Sequence, residues 1–349
     1  MNTTLSKRWR FLKEKAQLKK LFYICLLIST CGSFHSLSAQ DDNSYVYAFK
    51  DTMNLKLIFA NRGLSTMIRH RDTDEEIQLR PDNLSFIGLG GYFWDFSIKI
   101  FIPLPLNWFF EGANFDPSNT FDLQATLYRK NWFVEGAFQQ YSTQYLPQGQ
   151  VANSVSPYEL FTQRVSVNAT YLFSGKHVSI KSPFSRNVIQ TRNAGSWSFT
   201  TGFSSIELEG GRTLFPAASA KHINIDSPIS QMSAIGIDLM PGYAYNYGYR
   251  KFFMHFSAAA GATFQYKLYK KDTQRNTGLG IAPIYNLRAA LGFDNGKYFG
   301  GISAVFNQSR LSVDELHTRQ NARNLQFFVG YRLAEPEWLQ NLEPPFLRW

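Results

Sequence analysis

One pattern governs most of this chain: from about residue 55 onward, apolar and polar residues alternate with a period of two. Successive side chains of a β-strand point to opposite faces, so the pattern predicts strands with one apolar face each. Ile235, Ile237, Leu239, Pro241, Tyr243, Tyr245, Tyr247 and Tyr249 fall on one face, and Gly236, Asp238, Met240, Gly242, Ala244, Asn246 and Gly248 on the other. The stretches 252–267, 165–173 and 325–333 repeat it. About twelve segments read this way, near 55–70, 84–93, 96–105, 119–129, 131–141, 161–173, 194–206, 235–248, 252–267, 281–293, 297–308 and 323–333. Most reach the roughly 9–11 residues that a tilted strand needs to cross a bilayer. The count ranges from 10 to 14, because 55–70 reads either as one strand or as a hairpin bent at Asn61 to Gly63.

The second face chooses the fold class. A soluble sandwich would carry many Lys and Glu there, whereas this face is rich in Gly, Ser, Thr and Asn with occasional charges. That suits the lumen of an all-β, transmembrane, antiparallel up-and-down barrel whose apolar face meets lipid. Cross-strand aromatic packing in a soluble β protein is the competing reading. No apolar run beyond residue 40 approaches the ~20 residues of a membrane helix, which excludes helical transporters and receptors.

Connection lengths agree with a barrel. Tight turns are expected at Arg129 to Asn131, Tyr249 to Lys251 and Asp294-Asn295-Gly296-Lys297, and long polar loops near 106–118, 142–160, 207–234, 268–280 and 309–322. Short turns on one side and long loops on the other are the asymmetry of outer-membrane barrels. One connection breaks the rule: 174–193 is long yet falls on the turn side, so it holds a short helix or a strand is misassigned. Pairing Asp294 with Lys297 across the Asn-Gly turn sets Phe293 opposite Tyr298 and Arg288 opposite Ser303. Trp132, Tyr243, Tyr245, Tyr247, Tyr249 and Tyr298 lie beside tight turns and form a periplasmic aromatic girdle in this reading, with Trp108, Phe109 and Phe110 serving the outer interface.

Residues 1–40 differ in kind. Seven Lys and Arg lead into the apolar stretch Leu21 to Thr30 and a small-residue run ending Ser38-Ala39-Gln40. This is the form of a secretory signal peptide, with cleavage expected after Ala39 or Gln40. An anchor helix and lipidation of Cys31 are the alternatives. The whole chain carries 36 basic and 26 acidic residues, a charge of +10; without the segment 29 basic and 25 acidic residues remain, or +4. Both cysteines, Cys25 and Cys31, lie in the same segment, so no disulfide framework or thiolate metal site is expected after cleavage. The remainder divides into a periplasmic segment at 41–54, the barrel at 55–333 and a periplasmic tail at 334–349.

The segments Arg192-Asn193-Ala194-Gly195-Ser196-Trp197 and Leu287-Arg288-Ala289-Ala290-Leu291-Gly292-Phe293, with the closing strand Leu325 to Leu333, resemble the Bacteroidota domain-of-unknown-function 4421 family. The resemblance implies an outer-membrane β-barrel-like fold and no particular activity. The tail after Leu333 departs from barrels that stop at the end of the last strand.

Chemistry is sparse. The histidines after residue 40 are His70, His177, His222, His255 and His317; none forms a short-spaced metal pair, and only His255 sits firmly on a lumen face, near Asn246 in the expected register. A lipid hydrolase using His255 as base with Ser257 is the enzymatic alternative, although no Gly-x-Ser-x-Gly elbow is present. Charged lumen candidates are Asp95, Lys99, Asp122, Glu135, Asp238, Arg288 and Arg332, of both signs, which favours internal pairing over an ion-selective ring. Arg288 is expected to anchor a network with Asp238 or Glu135. No phosphate loop or basic helix points to nucleic acid; Lys267, Lys270, Lys271 and Arg275 form a loop cluster that is either solvated or in contact with lipopolysaccharide phosphates. The expectation is an exported outer-membrane barrel of a Gram-negative bacterium, non-enzymatic and cofactor-free, a narrow channel for a small solute or a structural or accessory barrel. Its partners would be outer-membrane lipid, lipopolysaccharide and the barrel assembly machinery. A surface interaction protein acting through its outer loops is the third reading.

Overall fold

The structure, a computed structural model, describes residues 45–71, 76–79, 85–104, 120–141, 160–210, 214, 229–271, 274–314 and 316–341. The signal segment with Ala39 and Gln40, the Trp108 to Phe110 cluster, His222 and residues 342–349 of the tail lie outside these residues. The elements are β1 (Val46–Ala48), β2 (Thr52–His70), β3 (Glu76–Leu79), β4 (Ser85–Phe93), β5 (Phe96–Pro103), β6 (Thr120–Tyr128), β7 (Trp132–Tyr141), β8 (Leu160–Leu172), α1 (Lys181–Phe184), β9 (Val188–Gln190), β10 (Ala194–Gly210), β11 (Ile229–Tyr249), β12 (Phe252–Lys271), β13 (Gln274–Asp294), β14 (Tyr298–Val313), β15 (Leu316–Ala334) and α2 (Glu337–Asn341).

Twelve of the strands form one closed antiparallel barrel, each paired with its neighbour in chain order, with β15 returning to pair β2 from Leu316↔His70 to Ala334↔Thr52. Closure pairs each of the twelve strands with a neighbour on both sides, the condition for β structure to cross a bilayer. The faces are inverted relative to a soluble protein. Leu89 (70%), Trp197 (67%) and Val329 (62%) are exposed, while Asn54, Thr66 and Thr162 are fully buried. The alternation therefore has its apolar side outward and its polar side in the lumen.

The barrel has a turn end and a loop end. At the turn end β4–β5 is joined by Trp94-Asp95, both at positive φ (48° and 65°), β11–β12 by Arg250-Lys251, and β2 begins beside the end of β15. Residues 55–70 are not a hairpin: β2 runs unbroken through Asn61 to Gly63. The expected loops at 268–280 and 309–322 are corrected as well. β12 continues to Lys271, β13 resumes at Gln274, β14 reaches Val313 and β15 restarts at Leu316. Their polar composition reflects strand that rises beyond the apolar band, not absence of strand.

The Asn-Gly register also differs from expectation. Asp294 pairs Phe299, Phe293 pairs Gly300 and Arg288 pairs Val305. The turn widens because Asp294 Oδ1 accepts the Gly296 N–H (2.8 Å), while Asn295 Oδ1 accepts the N–H groups of Lys297 and Tyr298 (3.1 and 2.7 Å). A slip of two residues preserves which face each side chain takes, so Arg288 stays in the lumen and Tyr298 outside.

Toward the loop end the polarity reverses. On β10 the outward residues Trp197, Phe199 and Phe203 give way to outward Glu207 and Glu209, and the apolar residues become the inward Ile206 and Leu208. β14 and β15 do the same, with inward Leu311, Val313 and Leu316. These residues join Ile68, Leu79, Leu214, Ile229, Met232 and Ala234 in one buried cluster. The cluster draws on β2–β3, β10–β11 and β14–β15, which stand on opposite sides of the barrel, and Thr318 of β15 reaches Met232 of β11 at 3.6 Å. Above the apolar band the barrel thus has the ordinary core of a water-soluble β structure.

Candidate functional site

Among the described residues the lumen is the enclosed space of the barrel, and the anomalous connection 174–193 decides its character. It folds back between β8 and β10 into the turn end, carrying α1 and β9, and β9 is tied to the preceding chain by an antiparallel ladder with β1. Short polar and aromatic side chains of the barrel wall fix this plug. Asn54 Nδ2 donates to Ser185 O (2.9 Å), Lys56 Nζ to Phe184 O, and Asn246 Nδ2 to Ser179 O (2.8 Å) and to Gln190 Oε1 (2.9 Å). Gln190 Nε2 in turn donates to His177 O (2.6 Å) and Arg192 O (2.8 Å). Phe184 lies among Phe86, Phe101, Phe253, Phe299 and Phe328, inward-facing rings that fill this half of the lumen.

The strongest attachment is a buried cluster in which two arginines share one carboxylate. Arg186 of the plug donates from Nε and Nη2 to Asp294 Oδ2 (3.1 and 2.6 Å), and Arg332 Nη2 donates to the same oxygen (3.0 Å) and to Arg186 O. All three side chains are at most 3% exposed. The guanidinium of Arg186 lies 3.8 Å over the Phe253 ring and that of Arg332 3.5 Å over Phe49, which covers the apolar faces of both cations. Sequence reasoning named Arg332 but missed Arg186 and Asp294, which stand in a plug and at a turn where no strand periodicity marks them.

Higher in the lumen the charges pair across the barrel. Arg288 Nη1 donates to Glu135 Oε1 (2.7 Å) and a second bond joins Nη2 to Oε2, a two-point pairing between β13 and β7. Of the two expected partners for Arg288, the acid found is Glu135; Asp238 instead accepts from Ser204 (3.4 Å) on β10. Arg62, missed because Gly63 suggested a bend, makes a fully buried ion pair with Asp122 (2.8 Å), and Gln139 donates to the same acid (3.0 Å). Lys99 Nζ reaches Gln326 Oε1 at 3.4 Å. The expected girdle residues Tyr243, Tyr245, Tyr247, Tyr249 and Tyr298 are exposed on the outer face, and Trp132 is half-buried.

His255 pairs Asn246 across the β11–β12 hairpin. Asn246 Nδ2 already donates to the plug, so its Oδ1 faces His255 Nδ1 (2.6 Å) as an acceptor and the ring proton must sit on Nδ1. Nε2 is left to accept from Ser257 Oγ (3.1 Å). This Ser–His–Asn order has the polarity of a nucleophile–base–orienter chain. However, His255 is 1% exposed, and the Phe184 ring meets it edge-on at 5.3 Å. The space beside Phe184, lined by Lys56, Lys99, Ser303 and Gln326, is a cavity of about 10 Å³, at the limit for one water. Among the described residues no three His, Cys, Asp or Glu converge as a metal site would require.

Asp95 lies in the β4–β5 turn, not in the lumen as expected, because β4 ends at Phe93. It accepts from Tyr92 Oη (2.6 Å), Lys181 Nζ (2.5 Å) and Arg129 Nη1 (3.2 Å), so it latches the plug to the rim. Burial opposes its charge, but the Lys181 ammonium and the hydrogen bonds outweigh it and hold the carboxyl below its ordinary value. A carboxyl lowered by folding contributes stability above its unfolded pKa, and that contribution is lost as pH falls through the lowered folded value. Hydrogen exchange of residues 174–187, corrected for intrinsic rates, is therefore expected to be unchanged from pH 7 to about pH 5 and to quicken only below about pH 4. Loosening already at pH 6, or the same profile in Asp95→Asn, would contradict the latch.

A family model described as Domain of unknown function (DUF4421) matches residues 40–333. No curated protein matches the chain. Among solved structures it is similar to the outer membrane protease OmpT from Escherichia coli, at 9% identity and TM-score 0.38, covering 86% of this chain and 100% of that one. It is also similar to the translocator domain of autotransporter NalP from Neisseria meningitidis, at 9% identity and TM-score 0.34 over 91% and 97% of the two chains. A third likeness is to the COG4313 outer membrane channel from Pseudomonas putida F1, at 10% identity and TM-score 0.30 over 84% and 100%. With the family match spanning nearly all of a closed twelve-stranded antiparallel barrel, the chain belongs to the DUF4421 family and is a β-barrel of the outer-membrane type.

Proposed function

We propose that this protein is a sealed, non-enzymatic barrel of the outer membrane, a structural or accessory element of the envelope and not a conduit, with its turn end in the periplasm and its loop end outward. The observation that carries this reading is that the lumen is filled at both ends by unrelated means. A polar, arginine-stapled plug occupies the turn end, and an apolar core occupies the loop end. A solute path would need both displaced. The alternative of a lipid hydrolase has the Ser257–His255–Asn246 chain in its favour, but an acyl ester has no room beside a histidine covered by Phe184. Among roles for a sealed barrel, the reading favours one exercised at its outer surface.

Planar-bilayer recording on the purified full chain tests the proposal. No conductance steps above bare lipid are expected at either polarity. Reproducible single-channel steps would overturn the sealed reading, and hydrolysis of phospholipid that disappears in His255→Ala would overturn the non-enzymatic one.

A further inference from the structure

The outer face of β14 and β15 changes from apolar to cationic. Leu325, Phe327 and Val329 of β15 are exposed in the apolar band, and the next outward positions upward are Arg323, Asn321 and Arg319. On β14, Arg310 is directly opposite Arg319, two like charges in a cross-strand pair. Such a pairing is destabilising unless an anion joins it. Neither Arg310 nor Arg323 has an ion pair among the described residues, and Arg319 touches only Met67 Sδ (2.7 Å) while its Nε has no partner. Arg69 shares the face, with Glu76 beside it in register.

Height sets the partner. The Tyr298–Tyr331 pair, rings 5.0 Å apart, marks the turn-end edge of the apolar band. Strands tilted by about 40° rise about 2.6 Å per residue along the barrel axis, which puts Arg323 about 21 Å and Arg310 and Arg319 about 31 Å above that pair. An apolar band about 25 Å tall ends between them. By the same measure Lys270 and Arg275, opposite one another on β12–β13, stand about 47 Å above Phe252, far beyond any headgroup. Lys267, expected in the same basic cluster, points inward and donates to Ser312 O (2.6 Å).

We infer that Arg310, Arg319 and Arg323 form a binding site for the phosphate groups of an outer-leaflet phosphoglycolipid, whose acyl chains lie along the exposed Leu325 and Phe327 below, beside the half-buried Phe306. Three arginines on adjacent strands at the hydrocarbon boundary match an amphiphile carrying more than one phosphate, and guanidinium forks match phosphate oxygens better than ammonium groups do. The inference rests on the outward placement of the loop end. Binding measured on purified protein in detergent, however, depends on neither orientation nor conductance, so its failure is separable from failure of the sealed reading.

The test is native mass spectrometry of the full chain titrated with diphosphoryl lipid A, dephosphorylated lipid A and phosphatidylethanolamine. Wild type is expected to retain diphosphoryl lipid A at least 10-fold more tightly than the other two. The triple substitution R310Q/R319Q/R323Q is expected to lose that preference, and K270Q/R275Q to keep it, both with an unchanged heat-modifiable gel shift. Should the triple variant not fold, R323Q alone is expected to weaken binding several-fold. Equal retention of the phosphorylated and dephosphorylated lipids, or wild-type binding by a folded Arg→Gln variant, would overturn the site.

Discussion

Asp294→Ala is expected to be among the most damaging single substitutions in the barrel. It leaves Arg186 and Arg332 buried, adjacent and without their shared carboxylate, and it removes the acceptor that shapes the β13–β14 turn. Breaking a buried ion pair by removing one partner costs about 3–5 kcal/mol, because the remaining charge stays desolvated. At about 2–4 °C per kcal/mol for a chain of this size, the temperature at which half the sample runs as the unfolded gel band is expected to fall by about 10 °C. Asp294→Asn keeps the shape and the turn acceptor and removes only the charge, so it is expected to lose most of the same stability. Arg186→Met is expected to cost less, since it leaves the Arg332–Asp294 pair intact and puts an apolar chain over Phe253. Melting of Asp294→Ala within 2 °C of the parent would show that the plug is held by its other contacts.

The barrel was legible because it depends on one repeated physical fact, the opposite direction of neighbouring strand side chains. The approximate strand number and the inward faces of Glu135, His255 and Arg288 follow from parity, while closure needed the weakly charged second face and the turn–loop asymmetry as well. What parity does not reveal is what fills the lumen. The plug is short, mixed in composition and held by backbone carbonyls of Ser179, Phe184 and Ser185, acceptors that every residue type offers equally. The Asp294 register was missed because the Asn-Gly dipeptide is read as a two-residue turn unless the side-chain capping of Gly296 is known. The loop-end core did leave a trace. The apolar residues change parity along single strands, from Trp197, Phe199 and Phe203 to Ile206 and Leu208 on β10, and from Ile302 and Phe306 to Leu311 and Val313 on β14. A strand that continues alternating while its apolar residues change parity is leaving lipid for water. The same swap accounts for the polar stretches that composition alone reads as long loops.

Two closures in series make a prediction that neither makes alone. Replacing residues 176–192 by a glycine–serine linker removes α1, β9 and Arg186, and with them the plug. The loop-end cluster still joins opposite walls through Met232, Leu208, Leu311 and Ile68, so this variant is expected to remain non-conducting. Leu208→Asp with Met232→Asp places charges in that apolar cluster, where burial without partners is unfavourable enough to force it open and hydrated. With the plug present, this second variant is also expected to show no conductance. Only the combination is expected to give discrete steps in planar bilayers, because it removes both closures and the Arg62–Asp122 and Arg288–Glu135 pairs left between them are polar and can be hydrated. A heat-modifiable gel shift must accompany each variant, so that silence reflects a folded, sealed barrel. Steps from plug removal alone would show that the loop-end core breathes too readily to seal. A silent but folded combination would place the barrier among the paired charges at mid-lumen, where replacing Glu135 and Arg288 together by Gln and Met would be the next substitution expected to open it.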